Sequence, residues 1–254
     1  MPDKNPTACL LVIGNEVLSG RTRDANIQFL ATGLGELGIP MREVRVIPDV
    51  PETIINTVNE VRRKFDYVFT TGGIGPTHDD ITSECIAAAF GVPWEHHPVA
   101  FPRMEASYKP GEFNAARQRM ATMPRGAELI ENAISVAPGF QMENVYVMAG
   151  VPRVMQSMFE WLAPRLKGGA KIEMRAVHVL GLPEGTIAEG LSAIQKRYPD
   201  LDLGSYPFYR PTGSGVALVA KGPDATAADK AISEVTELII QLGKVPIPGE
   251  PAEA

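Results

Sequence analysis

The chain has 254 residues, 44% hydrophobic and 21% charged, enough to bury a substantial core in one large domain or in a main domain with an appendix. Its formal net charge of −6 argues against a general nucleic-acid binder, which would carry a basic face, yet leaves room for a phosphate held by backbone amides and a metal. Its two cysteines, Cys9 and Cys85, are too few for a disulfide framework or a cysteine-rich zinc site; the N-terminal apolar run is too short to span a membrane and lacks the marks of a signal peptide, so the expected location is the cytoplasm.

The first predicted element is "ACLLVIG", a continuous apolar run ending in Gly14, as suits a central parallel strand covered on both faces. "DANIQFLATGLGELG" follows as a helix, with Asp24 as its cap, Ile27, Leu30, Leu34 and Leu37 at helical spacing, and Gly38 closing it. "MREVRVI" alternates like a strand. "PETIINTVNEVRRK" is a helix with proline in its first turn and Ile54, Val58 and Val61 on one face. The strand "FDYVFTT" runs into "TTGGIGPTHDDIT", and "DITSECIAAAFG" reads as a helix with Asp80 near its start. Residues 92–140 show no clear period beyond helical pieces around a Pro-Gly break. "NVYVMAG" is a further strand and "PRVMQSMFEWLAPRL" an amphipathic helix. Alternating strands and helices with short connections predict a doubly wound α/β domain with a mostly parallel sheet. "RLKGGAK" reads as a linker, and the strand–helix–strand–strand–helix order after it suits a small α+β domain resembling a split βαβ unit. The expected division is a phosphate- or nucleotide-binding domain over 1–168, the small domain over 169–243 and a Pro-rich flexible tail over 244–254.

Ligands of parallel α/β sheets bind beyond the carboxyl ends of the strands. Three polar segments should meet there: "GNEVLSGRTRDAN", "TTGGIGPTHDD" and "AGVPR". "GGIGPT" has neither the spacing of a dinucleotide fingerprint nor the Gly-Lys-Ser/Thr of a Walker A loop. Gly72, Gly73 and Gly75 still allow a tight turn whose amides, with Thr77 beside them, could face an anion; a plain strand-to-helix turn remains the alternative. Of Asp79 and Asp80, one is expected to cap the following helix. A second carboxylate beside a phosphate becomes favourable if a divalent cation, Mg²⁺, Mn²⁺ or Co²⁺, lies between them. Glu16 and Asp24 could face the same point, so the candidate metal set is Asp80, Glu16 and Asp24, each also readable as a cap or a solvated residue. Arg21, Arg23, Arg117 and Arg119 are candidate phosphate partners or simply solvated. His78 and the pair His96–His97 read as surface residues, and Trp94 and Trp161 fit the core or a helix face better than a stacking platform. No Ser-His-Asp or Cys-His arrangement is indicated.

Together, "IGNEVLSGRTRDAN", "TTGGIGPTHDDIT" and "NAISVAPGF…AGVPRVMQSM" resemble the molybdopterin-binding domain family over about residues 6–166, closest to its CinA-type (competence/damage-inducible) branch and the pterin-binding-like domain of FAD synthases. The small domain, with "GSYPFYRP", resembles the region that follows in CinA-type proteins. The resemblance implies a three-layer fold and a small phosphorylated nucleotide or pterin as ligand. CinA-type and FAD-synthase relatives are associated with metal-dependent cleavage of a pyrophosphate in ADP-ribose or FAD. In molybdenum-cofactor relatives the domain binds molybdopterin, and some members adenylylate it with Mg²⁺. The motif aspartate maps onto Asp80, the glycines onto Gly72, Gly73 and Gly75, the first-loop Asn-Glu onto Asn15 and Glu16, and the helix-start aspartate onto Asp24. Two departures stand out: Ser135-Val136 replaces a common Gly-Thr, and Ala149-Gly150-Val151-Pro152 with Val154 replaces Pro-Gly-x-Pro with its following glutamate. The expected site is therefore Asp80 and Asp79 as catalytic carboxylates, with Gly72, Gly73, Gly75, Thr77, Asn15 and Arg119 binding the ligand, in a homo-oligomer.

Overall fold

A computed structural model describes residues 5–210 and 213–251 and divides the chain into two compact units, Met1–Gly169 and Ala170–Ala254. The opening apolar run becomes β1 (Ala8–Ile13), with all six residues buried. It is followed by one turn of helix, α1 (Asn15–Leu18), and then by α2 (Asn26–Glu36), β2 (Met41–Ile47), α3 (Pro51–Val61), β3 (Tyr67–Thr71) and α4 (Thr82–Phe90). The stretch without a clear period holds β4 (Trp94–His96), α5 (Ala100–Ser107), α6 (Ala115–Arg119), β5 (Thr122–Pro124) and β6 (Glu128–Ile130). β7 (Gly139–Met142), β8 (Val145–Met148) and α7 (Pro152–Leu162) complete the unit.

Its sheet has the order β2-β1-β3-β8-β7-β6. The first four strands are parallel, and β7 and β6 form an antiparallel margin. Strand alternation sends side chains into two layers. Cys9, Leu11 and Ile13 pack with Ile54, Val58 and Val61 of α3 and with Cys85 and Ile86 of α4. Ala8, Leu10 and Val12 pack with Leu30 and Leu34 of α2 and with Met155, Met158 and Phe159 of α7. The result is the expected three-layer α/β unit. β4 and β5 pair apart from this sheet. There His97 anchors α5: its Nδ1 accepts from the amides of Val99 and Ala100, so the neutral ring carries its hydrogen on Nε2, which faces the Ala127 carbonyl at 3.2 Å.

The second unit comprises β9 (Glu173–Leu180), α8 (Glu184–Arg197), β10 (Asp202–Arg210), β11 (Gly213–Gly222), α9 (Ala225–Gln241) and β12 (Ile247–Pro248). Its sheet runs β10-β11-β9-β12. β9 and β10, joined by α8, both lie antiparallel to β11, which splits them. Val177, Val179, Val216 and Leu218 meet Ile187, Ile194, Val235 and Ile239 in its core. The segment expected to fray departs from that reading: Ile247 and Pro248 pair with His178 and Val177, closing the β9 edge. Residues 252–254 of that tail, and Pro211 of "GSYPFYRP", lie outside the described residues. No helix among the described residues is long and apolar enough to cross a membrane.

Both cysteines are buried free thiols. Burial pushes the Cys9 thiol from 9.0 up to about 12 and the Cys85 thiol to about 11. In the native protein both should stay inert to a thiol reagent at pH 8 and react only after denaturation. A raised folded pKa adds stability that is complete below the unfolded value and lost as pH rises through the folded one. The urea midpoint should therefore fall between pH 9 and 11, and less steeply in a Cys9→Ala variant. An equal slope in that variant would show that Cys9 does not contribute.

Candidate functional site

Three strand ends meet at one edge of the parallel sheet. Gly72, just after β3, donates its amide to Met148 O at the end of β8 (3.2 Å), while Gly14, just after β1, donates to Ile47 O (3.1 Å). Gly72 and Gly73 take φ of +102° and +68°. A Cβ on Gly72 would overlap the carbonyl oxygen of Ile13, and one on Gly73 would overlap Thr82 Oγ1. The glycines are therefore needed for the close approach of β1, β3 and α4 as well as for the turn.

A hollow of about 50 Å³ opens here, lined among others by Glu16, Asp24, Asn26, Thr71, Gly72 and Gly150. Asn26 is buried, and its Nδ2 donates to Gly150 O (2.9 Å). Its Oδ1 has no hydrogen-bond partner among the described residues, nor do the buried hydroxyls of Thr70, Thr71 and Thr82. Buried polar atoms are nearly always paired, and each one left unpaired costs about 1–3 kcal/mol. Asp24 caps α2 as expected, its Oδ1 accepting from the amides of Asn26 (3.0 Å) and Ile27 (2.8 Å). Asn15 is exposed, and its amide goes to Asp49 Oδ2 (2.8 Å).

The turn is wired differently from expectation. Asp80 Oδ2 accepts from the Thr77 amide (2.8 Å) and from the Thr77 hydroxyl, so Thr77 is tied to Asp80. Asp80 N donates to Thr77 O, Ile81 N to Asp79 O and Thr82 N to Gly73 O. The Gly72 and Thr77 amides are engaged, whereas those of Gly73, Ile74 and Gly75 find no acceptor among the described residues. Neither aspartate caps α4, which begins at Thr82 without a side-chain cap. Asp79 and His78 stand exposed at the tip, 4.0 Å apart.

Asp80 faces a second hollow beyond the turn, of about 10 Å³, with Gly75, Ser83, Trp94 and Arg119. Arg119 Nη2 donates to the Asp80 carbonyl at 3.1 Å. Glu16 and Asp24 line the first hollow and not this one. Among the described residues, no three His, Cys, Asp or Glu side chains gather as a metal site. The expected trio of Asp80, Glu16 and Asp24 is thus not brought together: the turn sends Asp80 toward α6, while Glu16 and Asp24 stay beside α2. The sequence reading missed Asn26 and placed Trp94 in the core or on a helix face, whereas it is half-buried beside Asp80. The one available signal was an amide residue in a helix first turn, two positions after its cap.

Both units match known protein families. Residues 9–168 match the family described as "Probable molybdopterin binding domain", and residues 174–245 match the FAD synthase middle domain. A protein of Pyrobaculum calidifontis is 32% identical over 252 residues, covering 94% of this chain and 96% of that protein. A CinA-like protein of Chloroherpeton thalassium is 31% identical over 245 residues; the match spans 91% of this chain but 58% of that relative. The crystal structure of CinA from Thermoplasma acidophilum superposes with a TM-score of 0.60 at 28% identity, covering 64% of this chain and 99% of that one.

Proposed function

The chain belongs to the molybdopterin-binding domain family, and from that premise we propose that it binds a phosphorylated nucleotide or pterin at the carboxyl edge of its parallel sheet and cleaves a pyrophosphate linkage of the ADP-ribose or FAD type with a divalent cation. One observation carries the binding: the unpaired Asn26 Oδ1 and Thr71 hydroxyl line a glycine-walled hollow where three strand ends meet. The unengaged amides of Gly73, Ile74 and Gly75 supply further donors for a phosphate. Arg119 adds a positive charge on the far side of the turn.

The donor set suits a cation shared with the substrate rather than one caged by protein. Mg²⁺ takes one or two carboxylates when phosphate oxygens supply the remaining positions, and Asp80 is the carboxylate that would hold it. Such an ion activates water and offsets charge on phosphate. Asp79, exposed at the turn tip, is the second carboxylate within the same segment. The scattered acids, together with Val154 in place of the family glutamate, favour a second reading: a molybdopterin-binding module without catalysis.

The two readings separate in one assay. Purified protein is incubated with ADP-ribose or FAD under Mg²⁺, Mn²⁺ or Co²⁺, and AMP release is followed. The hydrolase should release AMP at least about 10²-fold faster than its Asp80→Ala variant. If neither compound is cleaved above that control, the hydrolase reading falls, and tight binding of a pterin by the same preparation supports the module.

A further inference from the structure

The hollow that holds Asp80 does not end there. Trp94, Arg119 and Thr122 also line an open groove of about 490 Å³ that continues past His96 and Gln118. Its size falls in the range that takes a small organic ligand. The floor is built on Trp94, whose ring is fixed in place: the indole N–H donates to Ser83 Oγ and to Thr122 O, both at 3.0 Å. The Arg119 guanidinium lies over that ring, 5.1 Å from its centroid, and reaches the Asp80 carbonyl with Nη2. Its Nε is buried and has no acceptor among the described residues. Glu84, at 4.0 Å from Nη2, is too distant for a hydrogen bond.

A buried guanidinium donor without an acceptor costs more than a neutral orphan, so its retention calls for a partner. Here that donor stands between a turn assigned to phosphate and an aromatic side chain. We propose that the Trp94–Arg119 groove is the ring subsite of this protein. It takes the planar nitrogen heterocycle of a ligand whose phosphates rest on the 72–82 turn. Trp94 supplies the aromatic surface and Arg119 joins the ring end to the phosphate end. The assignment rests on the phosphate site proposed above and names what distinguishes the ligand from a simple phosphate ester.

The chain has two tryptophans, so a Trp161→Phe background leaves Trp94 as the sole reporter. In that background AMP, FMN, ribose 5-phosphate and inorganic pyrophosphate are titrated by fluorescence and calorimetry. AMP or FMN should bind at least about tenfold more tightly than ribose 5-phosphate and change the Trp94 emission, since base–aromatic stacking carries an effect of this size. Preference for AMP identifies a nucleobase, preference for FMN a fused flavin- or pterin-like ring. Arg119→Gln should remove the tenfold advantage, and Trp94→Leu should do so with pyrophosphate affinity unchanged. Should Trp94→Leu fail to fold, the half-buried Arg119→Gln still decides. Equal binding of AMP, FMN and ribose 5-phosphate, with pyrophosphate bound, overturns the ring subsite and leaves the phosphate site standing. If pyrophosphate and every other phosphate fail to bind, the phosphate site falls and the subsite with it.

Discussion

Replacing Gly72 with alanine should lower the unfolding free energy by about 3 kcal/mol and abolish the phosphate binding proposed at the strand ends. Two independent penalties act there. The backbone sits at φ +102°, where an L side chain is strained, and the new Cβ would overlap the Ile13 carbonyl oxygen. That oxygen belongs to the backbone of a fully buried strand and cannot rotate away. Gly20 separates the two penalties: its φ is +73°, and nothing lies within 4 Å of an added Cβ. Gly20→Ala should therefore cost only about 1 kcal/mol, the conformational part alone. Urea denaturation of both variants is the measurement. Equal midpoints would mean that the approach of β3 to β1 is not what requires glycine.

Phe69→Ala should cost about 3–5 kcal/mol, the usual range for a large aromatic removed from a packed core. Phe69 is fully buried on the α2–α7 side of β3, which pairs with β1 on one edge and β8 on the other. Its ring stacks on Tyr146 with centroids 5.2 Å apart, and Tyr67 lies 6.3 Å away. Because helices cover both faces, the cavity can collapse little, and the loss should approach the upper end of the range. A Phe69→Leu variant, which keeps most of the volume, should recover more than half of the stability in the same denaturation experiment. A loss below about 1 kcal/mol for Phe69→Ala would contradict the packing described.

The fold was legible wherever burial imposes a period. "ACLLVIG" could be read as a strand covered on both faces because every residue is apolar, and "PETIINTVNEVRRK" as a helix because Ile54, Val58 and Val61 repeat at its pitch. The stretch from 92 to 140 was not legible, because three-residue strands such as Trp94–His96 and Thr122–Pro124 are too short to show alternation. The tail misled for a related reason: its prolines suggest fraying, yet Pro248 tolerates a sheet edge, where a missing amide costs least.

The site was half legible. That the glycine turn lies at the sheet edge followed from strand order. Which carboxylates share a hollow did not, since loop direction depends on hydrogen bonds such as Thr77 to Asp80 that no periodicity encodes. Trp94 is half-buried with a satisfied N–H, a placement that composition does not distinguish from a core residue.

The meeting of Ile13, Gly72 and Met148 at one point also bears on when the site comes into being. Ile13 and Met148 come from opposite ends of the first unit's sequence and Gly72 from its middle, and local helix formation cannot bring them together; β8 must dock against β3 first. Ordering so distant a set of segments is a late event in folding. A chain caught before β8 docks has no strand-end hollow, so a ligand should leave the refolding rate untouched and act by slowing unfolding. Occupancy in a cell would then protect the finished protein from turnover without helping newly made chains reach that state.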